Sequence, residues 1–156
     1  VRSNKTVDVI KLPNPEKLYA TILHQEIELK TSHARSILKK SIPLNDVVKQ
    51  SGNLAALISA LYTNNYDLIS KSLKDYIIEP YRSKLIPEFD LLKKTALNSG
   101  ALGSGIAGSG PSVFALSKGR EIAENVGQEM KKIVSKLPIK HKVYISKINQ
   151  KGVKVI

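Results

Sequence analysis

Glycine and serine crowd into one segment, Gly103-Ser-Gly-Ile-Ala-Gly-Ser-Gly110, which is the best candidate for chemistry in this chain. Four of the nine glycines lie there. Its Gly108-Ser-Gly110 part allows positive φ angles at two positions and leaves amides unobstructed, so consecutive N–H groups can converge on an anion. A tight hairpin, in which the glycines satisfy turn geometry alone, explains the same spacing. The residues by themselves leave both interpretations open.

Two familiar nucleotide-binding motifs are excluded for this segment. Gly103-x-Gly105-x-x-Gly108 matches the dinucleotide fingerprint in its letters. That fingerprint must follow a strand and open a helix, because the helix N-terminus holds the pyrophosphate. Here the pattern predicts a helix before the glycines and a strand after them. A Walker loop is excluded as well, since no Gly-Lys-Ser/Thr ends the segment.

The elements that must position this segment are predicted from hydrophobic periodicity. Alternating apolar residues predict strands at 8–12, 18–23, 112–117 and 141–148, with extended structure continuing over 26–31. Helical spacing predicts helices at 31–40, from 45 or 46 to 61, and at 66–78, 88–98 and 119–137. Thr31 or Ser32 is the predicted cap of the first helix, and Asn45 or Asp46 that of the second. Strands in this order predict an α+β sandwich, an antiparallel sheet with helices packed on one face.

Composition indicates a single globular domain. The chain has 156 residues, and 42% of them are hydrophobic, which suffices to bury a core. The absence of cysteine excludes disulfides, thiolate metal sites and cysteine nucleophiles, and it fits a cytoplasmic protein. No apolar stretch approaches the roughly 20 residues that a membrane-spanning helix needs. We therefore expect no membrane partner.

The formal net charge of +12 is compatible with nucleic-acid binding. The positive residues are mostly scattered lysines, and no run interleaves them with stacking aromatics as single-strand binders require. Solvated faces of a lysine-rich protein explain most of this charge, although a basic field would also attract anionic ligands such as nucleotides. We expect no nucleic-acid partner.

The chain begins at Val1, and its single methionine is Met130. We expect it to be part of a longer protein whose remainder could hold half of an active site. An incomplete catalytic set would then not argue against an enzyme.

Three segments, 28–38, 78–87 and 106–116, carry a family resemblance. Ile106-Ala-Gly-Ser-Gly-Pro-Ser-Val-Phe-Ala-Leu116 resembles the third conserved motif of the GHMP kinases, in the version most like homoserine kinases. Ile78-Glu-Pro-Tyr-Arg-Ser-Lys-Leu-Ile-Pro87 resembles a homoserine kinase stretch between two helices. Glu28-Leu-Lys-Thr-Ser-His-Ala-Arg-Ser-Ile-Leu38 resembles the segment that enters the first C-terminal helix of those enzymes. The order of the three segments also agrees, and the similarity runs over 18–148.

The resemblance implies that residues 1–156 form the C-terminal domain, with 1–15 as a linker or strand from the domain boundary. Its implied fold is a ferredoxin-like two-layer sandwich with a four-stranded, mainly antiparallel sheet. In the family, the Pro-x-x-x-Gly-Leu-Gly-Ser-Ser loop that binds ATP and the acidic residues near Mg²⁺ lie in an N-terminal half. Neither is present in this sequence. The resemblance thus implies that a separate N-terminal domain is the partner that mainly binds ATP and Mg²⁺, and that this half holds no metal and no catalytic residue.

Arginine is scarce, with four among the 25 basic residues, and two of them, Arg35 and Arg82, fall in the matching segments. A planar guanidinium binds a carboxylate through two parallel hydrogen bonds, which a lysine ammonium cannot copy. In homoserine kinases the arginines at these places hold the amino-acid substrate. The resemblance therefore implies substrate binding by Arg35 and Arg82, although a surface arginine in a helix is usually only solvated.

Five further positions in the three matching segments are candidate site residues. Thr31 matches a family position near the substrate, with helix capping as an equally good alternative. Gly108, Ser109 and Gly110 correspond to the loop beside the phosphates and the substrate, and Gly108 is also assigned to substrate binding. Glu79 could orient the nearby arginine or accept the ammonium of a substrate, but an exposed acid at a helix end is the preferred interpretation. The three histidines lack the spacing of metal ligands.

The implied activity is ATP-dependent phosphorylation of the L-homoserine hydroxyl to O-phospho-L-homoserine, in threonine biosynthesis. We expect the chain by itself to be inactive, and the resemblance allows a homodimer. Another GHMP kinase, such as a cytidyl-methylerythritol kinase, is an alternative with a similar third motif, although its match to 78–87 is weaker. A binding or regulatory module without catalysis is the alternative from a different class.

Overall fold

The structure, a computed structural model, describes residues 2–3 and 7–152. Two short strands, β1 (Arg2–Ser3) and β2 (Val7–Asp8), pair with each other. The main sheet is formed by β3 (Leu18–Gln25), β4 (Gly103–Ile106), β5 (Val113–Lys118) and β6 (His141–Lys147). Its order is β4-β5-β3-β6, and each neighbouring pair is antiparallel. The predicted four-stranded antiparallel sheet of an α+β fold is confirmed.

The helices in the described ranges are α1 (Thr31–Ser36), α2 (Leu44–Thr63), α3 (Tyr66–Ser72), α4 (Glu79–Arg82), α5 (Phe89–Asn98) and α6 (Arg120–Val134). A 3-10 turn at Ser83–Leu85 follows α4. Helices α5 and α6 pack against each other and against the same face of the sheet, as predicted. The hydroxyl of Thr21 on β3 donates a hydrogen bond of 2.8 Å to the carbonyl of Ala123 on α6.

The core lies between that face and the two helices. Its buried apolar residues come from alternate positions of the strands and from one stripe of each helix: Leu23, Phe89, Leu92, Ala96, Val113, Ala115, Val126, Met130 and Val134. The stripe of α6 repeats at helical spacing, so the period seen in the sequence is the period of burial. Helices α3 and α4 contact β4, and Leu73, which follows α3, lies against Gly103.

Several predicted boundaries are wrong. The predicted strand at 8–12 is limited to Asp8, the last residue of β2, and 26–30 is not a strand. Helix α1 ends at Ser36 instead of 40, and α2 begins at Leu44, where no side chain caps it. Helix α3 ends at Ser72 instead of continuing to 78. The carboxylate of Asp75 explains that early end, because it accepts hydrogen bonds from the amides of Ile77 and Ile78 and starts a new turn there.

Gly103 and Gly105 belong to strand β4, not to a turn. A methyl group at Gly103 would overlap Leu73 Cβ and lie 2.6 Å from Leu73 Cδ1. We expect Gly103→Ala to lower the free energy of unfolding by about 1–3 kcal/mol, because β4 must move away from Leu73. Gly52 in the middle of α2 is the matched control, since a methyl group there meets nothing within 4 Å. Gly52→Ala should raise stability by about 0.5–1 kcal/mol.

Urea unfolding of both variants, followed by circular dichroism, measures these changes. Equal effects of the two substitutions would show that the close approach at Gly103 does not constrain the strand.

Candidate functional site

The glycine loop, residues 107–112, connects β4 to β5. Gly108 and Gly110 have φ angles of 64° and 85°, so the predicted positive φ angles occur at both glycines. The amide of Gly110 donates a hydrogen bond of 3.1 Å to the carbonyl of Ala107, and this bond closes a turn. The amides of Gly108 and Ser109 donate to no group within the described residues. The loop is therefore a hairpin turn that also leaves two adjacent amides available to an anion.

Arg82 lies at the end of α4 and joins three parts of the chain. Its Nε donates a hydrogen bond of 3.0 Å to the carbonyl of Ala34 in α1. Its Nη1 donates one of 3.1 Å to the carbonyl of Gly108 in the glycine loop. A guanidinium has five N–H donors, so three remain without a partner among the described residues. Arg82 thus fixes the loop to α1 and can still bind a carboxylate.

Thr31 and Arg35 lie four residues apart on α1, so they share one side of this short helix. Both residues are exposed. Arg35 is next to Ala34, whose carbonyl accepts from Arg82, and the fold thereby brings the two predicted arginines into one region. The predicted cap by Thr31 or Ser32 is wrong, because Lys30 occupies the N-cap position and no side chain caps α1.

A cavity of about 370 Å³ lies beside Arg82. It is bounded by α2, the chain after α3, α4, β4 and the side chain of Phe114. Two polar residues of α2 hold the chain after α3 at its wall. Gln50 accepts a hydrogen bond from the amide of Tyr76, and Asn53 donates one of 2.8 Å to the carbonyl of Lys74. The cavity is large enough for a small metabolite, and Glu79 and Arg82 provide opposite charges in its lining.

The sequence favoured an exposed acid at Glu79, and the structure shows that this interpretation is wrong. Its side chain is 14% exposed and forms an ion pair with Lys93 of α5, which is 21% exposed. Burial raises the pKa of Glu79 above its usual value, and the hydrogen bond from Lys93 opposes that rise. A Cβ at Gly105 would lie 3.0 Å from Glu79 Oε2, so the absence of a side chain there makes room for the carboxylate.

Sequence reasoning missed three contributors to this region: the carbonyl of Ala34, Lys93 and Asp75. Asp75 could have been found, because an acid shortly before Glu79-Pro fits the capping of a following helix. The pairing of Glu79 with Lys93 gives no sequence signal, because the two residues belong to different helices. A backbone carbonyl gives none either, since every residue has one.

A family model for the C-terminal domain of GHMP kinases matches residues 57–136, a range that contains Arg82 and the whole glycine loop. The chain belongs to the GHMP kinase family. The resemblance predicted from the three segments is thereby confirmed. Thr31 and Arg35 lie outside the matched range.

Two homoserine kinases and a phosphomevalonate kinase are among the proteins that this chain resembles. The homoserine kinase of Chlorobium phaeobacteroides is 46% identical over 158 residues, covering 100% of this chain and 49% of that protein. The crystal structure of homoserine kinase from Cytophaga hutchinsonii is 52% identical, with a TM-score of 0.92 over 96% of this chain and 47% of that one. Streptococcus pneumoniae phosphomevalonate kinase shares the fold, with a TM-score of 0.62 over 86% of this chain and 41% of its own, at 17% identity. This GHMP kinase chain spans about half the length of the relatives it matches.

Within residues 2–3 and 7–152, no group of three or more His, Cys, Asp or Glu side chains is arranged to hold a metal ion. No helix in the same part of the chain is long and apolar enough to cross a bilayer.

Proposed function

We propose that this chain is the C-terminal half of an ATP-dependent homoserine kinase. The full-length protein would transfer a phosphoryl group from ATP to the side-chain hydroxyl of L-homoserine, giving O-phospho-L-homoserine for threonine biosynthesis. The observation that carries the proposal is the meeting of Arg82 with the glycine loop at Gly108. The identity of 52% with a homoserine kinase of known structure supports homoserine as the acceptor.

In this proposal the two arginines bind the amino-acid carboxylate. Three N–H groups of Arg82, which lies beside the cavity, have no partner in the part of the chain that the structure describes, and Arg35 lies next to the residue that holds Arg82. Thr31 shares the side of α1 on which Arg35 lies and would also bind the substrate. A carboxylate fixed by guanidinium groups has a defined orientation, which lowers the entropy cost of aligning the hydroxyl with the phosphoryl group.

The glycine loop fits a phosphate group, because the adjacent amides of Gly108 and Ser109 donate to no acceptor in residues 2–3 and 7–152. Bound ATP supplies the transferred phosphoryl group. The two amides would stabilise negative charge on phosphoryl oxygens, and Gly110 would keep the turn in shape through its own internal hydrogen bond. No residue of this half is proposed as a general base, and ATP and Mg²⁺ would be bound mainly by an N-terminal domain.

The test is a kinase assay of the full-length protein with ATP and Mg²⁺. Homoserine, mevalonate and a cytidyl-methylerythritol are offered as acceptors at equal concentration. We expect kcat/KM for homoserine to exceed that for the other two by at least about 100-fold, because only homoserine offers a carboxylate beside an ammonium in a molecule of this size.

If the enzyme prefers one of the other alcohols, homoserine is not its acceptor and the protein is the GHMP kinase for that alcohol. Binding of ligands without turnover would favour a module without catalysis. Residues 1–156 alone should show no ATP turnover with homoserine, and turnover by this chain would contradict the division of the site between two halves. A cytoplasmic location and a homodimer stay predictions from the family resemblance.

A further inference from the structure

Helix α4 carries Arg82 but is only four residues long. A single turn of helix is not stable by itself, because its nucleation cost is not recovered by so few hydrogen bonds. Contacts from the rest of the fold must therefore hold it in place. The position of Arg82, and with it the link between α1 and the glycine loop, depends on those contacts.

Side chains fix both the start of α4 and its orientation. The two carboxylate oxygens of Asp75 accept hydrogen bonds from the amides of Ile77, Ile78 and Glu79, at 2.7, 2.9 and 3.3 Å. The ion pair between Glu79 and Lys93 joins α4 to α5, which is part of the core. The first residue of α4 is thus attached to the rigid core, while its last residue, Arg82, extends to the site.

The ion pair is largely removed from water. Both side chains are less than a quarter exposed, and Glu79 Oε2 faces the position where Gly105 leaves space. A buried charge without its partner is strongly unfavourable, so each member of such a pair holds the other in place. Gly105 lies in β4, two residues before the glycine loop, which makes the sheet edge a third fixed point around Glu79.

We propose that Glu79 is a positioning residue, which through its ion pair with Lys93 sets α4 so that Arg82 reaches both Ala34 and Gly108. This inference rests on the proposed function, since Arg82 is taken to bind the acceptor. Although Glu79 lines the cavity, its carboxylate is engaged by Lys93, so in this proposal it acts through Arg82 and not by binding the substrate. The pair therefore determines mainly the affinity for the acceptor, because most contacts to the nucleotide are proposed to lie in the N-terminal domain.

The test uses Glu79→Gln in the full-length protein. We expect KM for homoserine to rise about tenfold, with KM for ATP within twofold of wild type and kcat lowered by at most about threefold, since Arg82 also holds the glycine loop that is proposed to contact the phosphoryl oxygens. Lys93→Met should reproduce this pattern, since it breaks the same pair from the other side. Glu124→Gln is the matched control, because Glu124 pairs with Arg120 on the exposed side of α6, and it should change none of the three constants.

A double variant excludes a mere loss of folding. Glu79→Gln with Lys93→Met leaves no unpaired buried charge, so it should be as stable as wild type and still show the raised homoserine KM. A homoserine KM within twofold of wild type in this variant and in Glu79→Gln would overturn the proposal. An equal rise in both substrates' KM would overturn it too, because that indicates a general structural effect.

Coupling to Arg82 separates positioning from direct contact. In an Arg82→Ala background, Glu79→Gln should change the homoserine KM by less than twofold, because the group it positions is gone. A tenfold effect in both backgrounds would show that Glu79 contacts the substrate itself, which contradicts the proposal.

Hydrogen–deuterium exchange gives a readout that does not depend on activity. In Glu79→Gln, amides of α1 and the hydrogen-bonded amides of Ala107 and Gly110 in the glycine loop should exchange faster, while those of α6 stay unchanged. Unaltered exchange at both segments in a protein that phosphorylates homoserine would reject the positioning role and leave the proposed function intact. Failure of the wild type to phosphorylate homoserine, with the faster exchange present, would instead reject the proposed function.

Discussion

Alanine at Arg82 is expected to lower kcat/KM for homoserine by about 100- to 1,000-fold in the full-length protein, a loss of roughly 3–4 kcal/mol. The substitution removes the guanidinium that is proposed to bind the acceptor carboxylate. It also removes the hydrogen bonds to the carbonyls of Ala34 and Gly108, so α1 and the glycine loop lose their link. Binding and positioning therefore fail together, which makes this the largest functional effect that a single side chain of this half should produce.

Steady-state kinetics with homoserine and ATP varied separately measures this loss. Arg82→Lys should restore only a small part of the lost kcat/KM, because an ammonium lacks the planar set of N–H donors with which a guanidinium can bind two carbonyls and a carboxylate at once. Arg35→Ala should act in the same direction with a smaller effect, since no hydrogen bond of the Arg35 side chain is seen within the described residues. Arg120→Ala is the control for loss of an arginine, because Arg120 pairs with Glu124 in solvent. A variant at Arg82 with wild-type kinetics would refute the substrate role and the proposed mechanism.

The largest loss of stability is expected from Leu92→Ala. Leu92 is fully buried on α5, where it packs in the core between the helices and the sheet. Truncation to alanine leaves a cavity and removes buried apolar surface, which costs about 2–5 kcal/mol in well-packed cores. That amount is a large share of the 5–15 kcal/mol that typically stabilises a domain.

Leu91 provides the matched control, since it is the same residue type on the same helix and is 47% exposed. Leu91→Ala should change the free energy of unfolding by less than about 1 kcal/mol. Urea unfolding of the 156-residue chain and its two variants measures the difference. Similar losses of stability for both variants would mean that the face of α5 that packs on the sheet is not the one that carries Leu92.

The sequence was sufficient for features that depend on local pattern. The positions of strands β3, β5 and β6 and of helices α5 and α6 were predicted from hydrophobic periodicity, because apolar side chains recur with the period of the element that contains them. The positive φ angles at Gly108 and Gly110 were also predicted correctly, since they depend on the residue type and not on distant contacts. The family was also predicted correctly, because its motifs are continuous segments of the chain.

Local pattern failed where a distant group determines the conformation. Gly103 and Gly105 have the composition of a turn but lie in β4, which pairs with β5. Glycine is needed there because Leu73, the Glu79 carboxylate and the Phe114 ring occupy the space that side chains would fill. Similarly, α3 stops at Ser72 although the helical period continues to 78, because Asp75 captures the amides that the helix would have used.

By itself, the sequence determined the class of fold and the family, and it predicted the positive φ angles of the glycine loop. Only the tertiary structure decided what the charged groups around that loop do. It joined Arg82 to the carbonyls of Ala34 and Gly108, and it buried Glu79 against Lys93. The physical reason is that these partners are separated along the chain by 48, 26 and 14 residues. Such pairings are set by how helices pack on the sheet, and no local propensity encodes them.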